Sequence, residues 1–247
     1  MKQTLFAALV CLKILPSTLL GQSSTYSQEV SANTFVSSGS PTANFGTMGA
    51  MEIAAPAAAQ NRTEISLLGF DTSAIQSSFN ASYGVGGWTV TGVTLSLFSN
   101  YAMAGVQPGN SSFNKIAAGA FEFDLLSDNN WSQSSLTWNT LPIILPGSGN
   151  NNTSTQLGTF NWAATGAASS IWILNSSQPL VNDIISGDEV TILGQPTVGS
   201  TVGYLFNTAL VNAGYLNVTV EAVPEPSITG LITGLLCVAA GLRSCRR

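Results

Sequence analysis

The stretch Val93-Thr94-Leu95-Ser96-Leu97 alternates strictly between apolar side chains and hydroxyls. Successive side chains of an extended chain point to opposite faces, so this segment offers one face to a core and one to water. The same alternation appears upstream in Glu64–Phe70 and Trp88–Thr91. Downstream it returns in Phe121-Glu-Phe-Asp-Leu125, Glu189–Leu193, Val202–Phe206 and Leu216-Asn-Val-Thr-Val220. Each run is short and bounded by Gly, Asn, Ser or Pro, the residues of turns. A strand with one apolar face must bury it against a second layer. The pattern therefore predicts an all-β, jelly-roll-like antiparallel β-sandwich.

Helical periodicity is nearly absent. The best candidate is Gln178–Gly187, one or two turns ended by Gly187. Asn80–Gly87 and the polar Pro146–Gln156 read as exposed loops. No solenoid or propeller period is present. About 200 residues between the ends suit a single all-β domain.

Composition narrows the chemistry. The chain has 247 residues, no His, 3 Cys and 8% charged residues, where about 25% is ordinary. Five of the seven basic residues, Lys2, Lys13, Arg243, Arg246 and Arg247, lie at the two ends, as do Cys11, Cys237 and Cys245. Between Glu29 and Glu225 two basic residues, Arg62 and Lys115, face twelve acidic ones, a net charge of −10. Without His or Cys in that region there is no Ser-His-Asp triad, Cys-His pair or ordinary zinc site. A body this acidic cannot neutralise a phosphate backbone, so nucleic acid is excluded as a partner. Its apolar content and sparse charge also exclude intrinsic disorder.

The ends read as addresses. Met1-Lys2, the apolar run Leu5–Leu15 and then Pro16-Ser-Thr-Leu-Leu-Gly21 follow the order of a secretory signal peptide, with cleavage expected between Gly21 and Ser24. At the other end Pro224-Glu225-Pro226 precedes an uncharged stretch, Ile228–Leu242, and the basic tail Arg243-Ser-Cys-Arg246-Arg247. As a helix that stretch measures about 22 Å, short of a hydrocarbon core of about 30 Å, so it suits a transient membrane stop. The arginines orient the tail to the cytoplasm. The organisation expected is a signal peptide over 1–23, a sandwich over 24–222 and a tail over 223–247.

Pro224-Glu225-Pro226, a short transmembrane helix and an Arg-rich end resemble the PEP-CTERM sorting signal of Gram-negative bacteria. That resemblance implies recognition and cleavage near Pro224–Pro226 by an exosortase-type membrane protease, passage through the inner membrane, and delivery to the cell surface or extracellular matrix. The family is typically linked to exopolysaccharide-producing bacteria, which makes exopolysaccharide a candidate partner.

The body carries a second resemblance. Asn44-Phe-Gly46, Gly69-Phe-Asp-Thr-Ser-Ala-Ile75, Val90–Leu97, and Trp131-Ser-Gln-Ser-Ser-Leu-Thr-Trp-Asn139 with Pro142 are similar, in order, to the DNRLRE-type domain. That family includes carbohydrate-binding module family 96. Gln133 stands where its pattern has Glu, and Leu68-Gly69 where it has Leu-Arg. The resemblance implies a β-sandwich and, in some members, polysaccharide binding.

Sugar sites stack aromatic faces on rings and read hydroxyls with Asn, Asp and Gln. Trp131, beside Asp128-Asn-Asn130 and Ser132, is the candidate glycan contact, whereas Trp138 reads as core packing. Two cations suit a neutral glycan better than an acidic one. No cofactor is implied. A structural Ca²⁺ is left open, but Glu122, Asp124 and Asp128, and Asp183, Asp188 and Glu189, read as solvated acids. Asp71 reads as a strand-end cap. With no nucleophile motif the chain is expected not to be an enzyme. The expectation is an exported, non-catalytic surface or matrix protein, with a displayed polysaccharide-binding module as the alternative.

Overall fold

In the computed structural model the described residues are 22–99, 116–147, 149–164, 169–210 and 214–224. Most of the expected signal peptide, and the sorting signal from Glu225 through Pro226 to Arg243, Arg246 and Arg247, lie outside them. Among the described residues no helix is long and apolar enough to cross a membrane.

The elements in chain order are β1 (Ser23–Glu29), β2 (Ala32–Ser37), β3 (Ala50–Ala54), β4 (Glu64–Asp71), α1 (Ser73–Tyr83), β5 (Trp88–Phe98) and β6 (Gly119–Leu126). They continue with β7 (Ser154–Trp162), β8 (Ser169–Leu174), α2 (Gln178–Ser186), β9 (Glu189–Pro196), β10 (Gly203–Asn207) and β11 (Tyr215–Ala222). A four-stranded sheet runs β1-β11-β5-β8. A seven-stranded sheet runs β10-β3-β4-β9-β6-β7, with β2 paired to β4. All pairings are antiparallel. The expected all-β sandwich is the fold found.

The alternating runs fall into strands as their periodicity requires. Val93, Leu95 and Leu97 of β5, with Leu216, Val218 and Val220 of β11, are buried in the main core. Phe70, Phe121, Phe123, Ile192 and Phe206 join them from the seven-stranded sheet. Burying a large apolar side chain contributes about 1.5 to 3 kcal/mol, which makes this layer the main stabilising unit.

One departure concerns β4. Glu64–Phe70 reads as half-buried, yet every residue from Glu64 to Phe70 is buried. Its second face is covered by the segment after β6, where Leu136, Leu141 and Ile144 pack on Val36, Ile65, Leu67 and Leu193. Trp138 packs against this second cluster as a partly buried ring, the structural place expected of it.

A second departure is α1. Asn80–Gly87 reads as a loop, but helix continues through Tyr83. Only Ile75 and Phe79, four residues apart, are buried on this Ser-rich helix, so the 3.6-residue period is carried by a single pair. Tertiary contacts stabilise it: Phe79 packs on Trp88 at 5.2 Å between ring centroids, and Gln76 Nε2 donates to the Ile185 carbonyl of α2 at 2.9 Å. α2 itself ends as expected, with Gly187 in the left-handed region at φ 74°.

Candidate functional site

The sequence motifs of the body turn out to build the scaffold. Asn44 Nδ2 donates to the carbonyls of Gln133 and Leu136 at 2.9 and 2.8 Å, while its Oδ1 accepts from Gly46 N–H. Phe45 stacks on Phe35 at 4.3 Å. Gly46 runs so close to the Gln133 carbonyl that a Cβ would lie 1.9 Å from its oxygen, so no larger residue fits there. Gln133 Oε1 accepts from Asn33 N–H at 2.9 Å, and its Nε2 donates to the Gly46 carbonyl. A Glu could make the first bond, but ionised it could not make the second. These groups strap the 131–145 segment across the seven-stranded sheet.

Trp131 belongs to that strap. Its indole N–H donates to Thr191 Oγ1 at 2.9 Å, and its ring packs against the second cluster. A methyl group on Gly69 would come within 3.4 Å of Trp131 Cζ2. That is an ordinary contact distance, so Gly69 stands beside the ring at the position where the resembled pattern has Arg. Trp88 and Trp162 are buried, and Trp172 packs edge-on against Phe121 at 5.0 Å. No row of exposed tryptophans forms among the described residues.

The acids divide by environment. Asp71 Oδ1 accepts from Ser73 N–H at 2.9 Å, the expected strand-end cap, and this bonding lowers its pKa. Asp124 is not solvated as read: it is buried, and burial followed by the nearby Glu122 charge raises its pKa. Gln195 Nε2 donates to both Glu122 and Asp124, at 2.9 and 3.0 Å. No group of three or more metal-type side chains occurs among the described residues.

The sequence reading misses one pair altogether. Glu52 and Glu64 are 2% and 0% exposed. Burial, then the hydrogen bond to Glu64 and its charge, push the Glu52 carboxyl up to about 10. Glu52 is therefore protonated at neutral pH. Ser37 Oγ donates to Glu64 Oε1 at 3.1 Å, and Arg62 Nε lies 3.9 Å from the same oxygen. Two carboxyls closed off from solvent cannot flank a substrate bond as glycoside hydrolysis requires.

Among the described residues, the outer face of the four-stranded sheet is open to a ligand. Pairing aligns two cross-strand rows there, Glu29–Tyr215–Ser96–Ile171 and Ser27–Asn217–Thr94–Ile173. At roughly 4.8 Å between strands the rows span about 14 Å. Asn217 organises them. Its Oδ1 accepts from Ser27 Oγ at 2.7 Å, and its Nδ2 donates to Thr94 Oγ1 and Ser96 Oγ at 3.2 and 2.9 Å. Thr94 and Ser96 thus each accept a bond and keep an O–H free to donate outward. Thr25 and Thr219 share a hydroxyl bond at 2.9 Å. At one end Phe98 and Tyr215 meet edge to face, ring centroids 6.5 Å apart. The alternation around Thr94 and Asn217 is legible in sequence. Their adjacency across strands is not.

The face has no basic residue, since Arg62 is the one cation among the described residues. A fixed array of hydroxyls, an amide and two aromatic rings suits polyhydroxylated, uncharged surfaces. The model of carbohydrate-binding module family 96 matches residues 24–165, more than half of the chain. No curated protein matches the chain.

Proposed function

We propose a function from one premise: the chain belongs to carbohydrate-binding module family 96. The protein is a non-catalytic, surface-displayed polysaccharide-binding module, and its ligand is an uncharged glycan. The single observation that carries this reading is the Asn217-centred hydroxyl array beside Tyr215 and Phe98 on the outer face of the four-stranded sheet. Tyr215 and Phe98 offer apolar ring surface to sugar rings. Thr94, Ser96, Ser27 and Thr25 exchange hydrogen bonds with sugar hydroxyls. The lack of cations on this face disfavours alginate-like acidic chains.

Export completes the reading. The N-terminal segment acts as a signal peptide, and the Pro224-Glu225-Pro226 tail directs cleavage by an exosortase-type protease, leaving the sandwich at the cell surface or in the matrix.

Affinity electrophoresis of the full chain through gels holding a neutral or an acidic polysaccharide tests the binding. Retardation by a neutral glycan is expected, weakened about tenfold by Tyr215→Ala or Asn217→Ala, the worth of roughly 1.4 kcal/mol of contact. Loss in Trp131→Phe instead would move the site to the outer face of the seven-stranded sheet. No retardation by any glycan would sink the binding reading and leave a structural matrix role. For sorting, the full chain and a Pro224/Glu225/Pro226-to-Ala variant are fractionated. Identical size and location for the two would overturn the processing step.

A further inference from the structure

Exposed strand edges are templates for pairing, and proteins blunt them with charge, proline, bulges or cover. Most edges of this sandwich carry such a device. β1 ends in Glu29 and is held by Tyr83, whose hydroxyl donates to the Gln22 carbonyl and bonds Ser24 Oγ at 2.8 Å. On β2 the Asn33 N–H is taken by Gln133. β7 is bulged, its register slipping between Gly158 and Gln156 opposite Phe123 and Asp124. β10 is short and bridged by Ser99 and Ala117.

Among the described residues β8 has none of these. Ser169-Ser-Ile-Trp-Ile-Leu174 contains no charge, proline or glycine, and it pairs with β5 in unbroken register. No charged residue occurs anywhere between Asp128 and Asp183. Ile171 and Ile173 stand 64% and 76% exposed on the outer face. Two β-branched aliphatics at that exposure on an undefended edge are the usual mark of an interface.

We infer that β8 pairs antiparallel with β8 of a second copy, about a two-fold axis at Trp172. The two residues flanking it, Ile171 and Ile173, are the same. Ile171 of one copy lies opposite Ile173 of the other, and the reverse, so four isoleucines join in one strip. The same register places Ser170 opposite Leu174, and no charge opposes another. A two-fold interface requires this kind of self-complementarity, and a second copy always satisfies it. The resulting eight-stranded sheet carries both hydroxyl arrays on one continuous face, so a single long chain could engage two copies at once. The inference rests on the β8 edge and holds whether or not that face binds glycan.

The test uses the full chain with Cys11, Cys237 and Cys245 changed to Ser. Differently tagged Ile171→Cys and Ile173→Cys chains are co-expressed and mildly oxidised. Directly opposed cross-strand cysteines suit a disulfide, whereas 171 with 171 or 173 with 173 lie diagonal and too far apart. The mixed pair should crosslink about tenfold more than either variant alone, the difference that disulfide geometry imposes. No crosslink in the mixed pair, or equal crosslinking in all three combinations, would overturn the two-fold pairing. In sedimentation of the full chain in detergent, Ile171→Lys/Ile173→Lys should convert a dimer to a monomer with unchanged circular dichroism. A wild-type monomer, or a dimer indifferent to these lysines, would equally overturn it.

Discussion

The two sheets of this sandwich are built from similar alternating strands, yet they live in different surroundings. The four-stranded sheet is buried on one face and keeps Thr94, Ser96, Asn217 and Thr219 toward solvent. The seven-stranded sheet is buried on both around β4, because the strap carrying Trp131, Leu136 and Leu141 lies over its outer side there, while β7 keeps Gln156 and Asn161 exposed. Polar groups pay differently in the two places. On the open sheet Asn217 organises a hydroxyl array that water can also reach. Under the closed sheet burial penalises charge, and it raises the pKa of the Glu52 carboxyl. The closed sheet is where substitutions should cost stability, and the open sheet is where they should cost binding.

The sharpest way to break that contrast is Gly46→Ala. Its Cβ would meet the Gln133 carbonyl at 1.9 Å, so the strap must shift, at a cost of about 3 kcal/mol, read as a lower urea midpoint. Asn44→Ala leaves the Gln133 and Leu136 carbonyls without their donor and should cost about 2 kcal/mol in the same assay. An unchanged midpoint in both variants would mean that the strap does not stabilise the closed sheet.

Glu52→Gln tests the buried pair. Because the folded carboxyl titrates above its ordinary range, both states hold the proton at low pH. As pH rises past about 4.5 the unfolded chain releases it and the folded chain does not, so stability falls toward pH 10. The decline should be on the order of 1 kcal/mol per pH unit, and Glu52→Gln should flatten it. Equal pH slopes for wild type and variant in urea melts from pH 5 to 8 would refute a Glu52 carboxyl held protonated by the fold. The smallest stability effect belongs to the open sheet. Tyr215→Ala should shift unfolding by no more than about 0.5 kcal/mol, while binding in neutral-glycan gels falls.

Much of the core was legible beforehand. Phe121-Glu-Phe-Asp-Leu125 and Leu216-Asn-Val-Thr-Val220 formed strands with the expected faces, because a period of two leaves an extended chain no other way to separate its apolar side chains. β1 and β2 were not legible. Their Ser- and Thr-rich segments become strands by pairing with β11 and β4. Helix α1 escaped for a related reason, since its stability comes from contacts with Trp88 and α2 more than from its own Ser-rich sequence. Among site residues, Trp131 drew attention as an aromatic in polar company. The fold turns its N–H inward to Thr191, and the polar company serves the strap. Tyr215 and Asn217 looked like ordinary members of an alternating strand.

By itself the sequence determined the class of protein: all-β, charge-poor and without histidine. It determined these things because alternation and composition act locally and do not depend on which strands meet. Only the tertiary structure decided which alternating face stays open, that Glu52 and Glu64 share a closed site, and that β8 ends the four-stranded sheet with no charge, proline or bulge on it. Those outcomes depend on pairings between residues far apart in the chain, such as Asn217 with Thr94 and Glu64 with Ser37. No local pattern encodes such pairings.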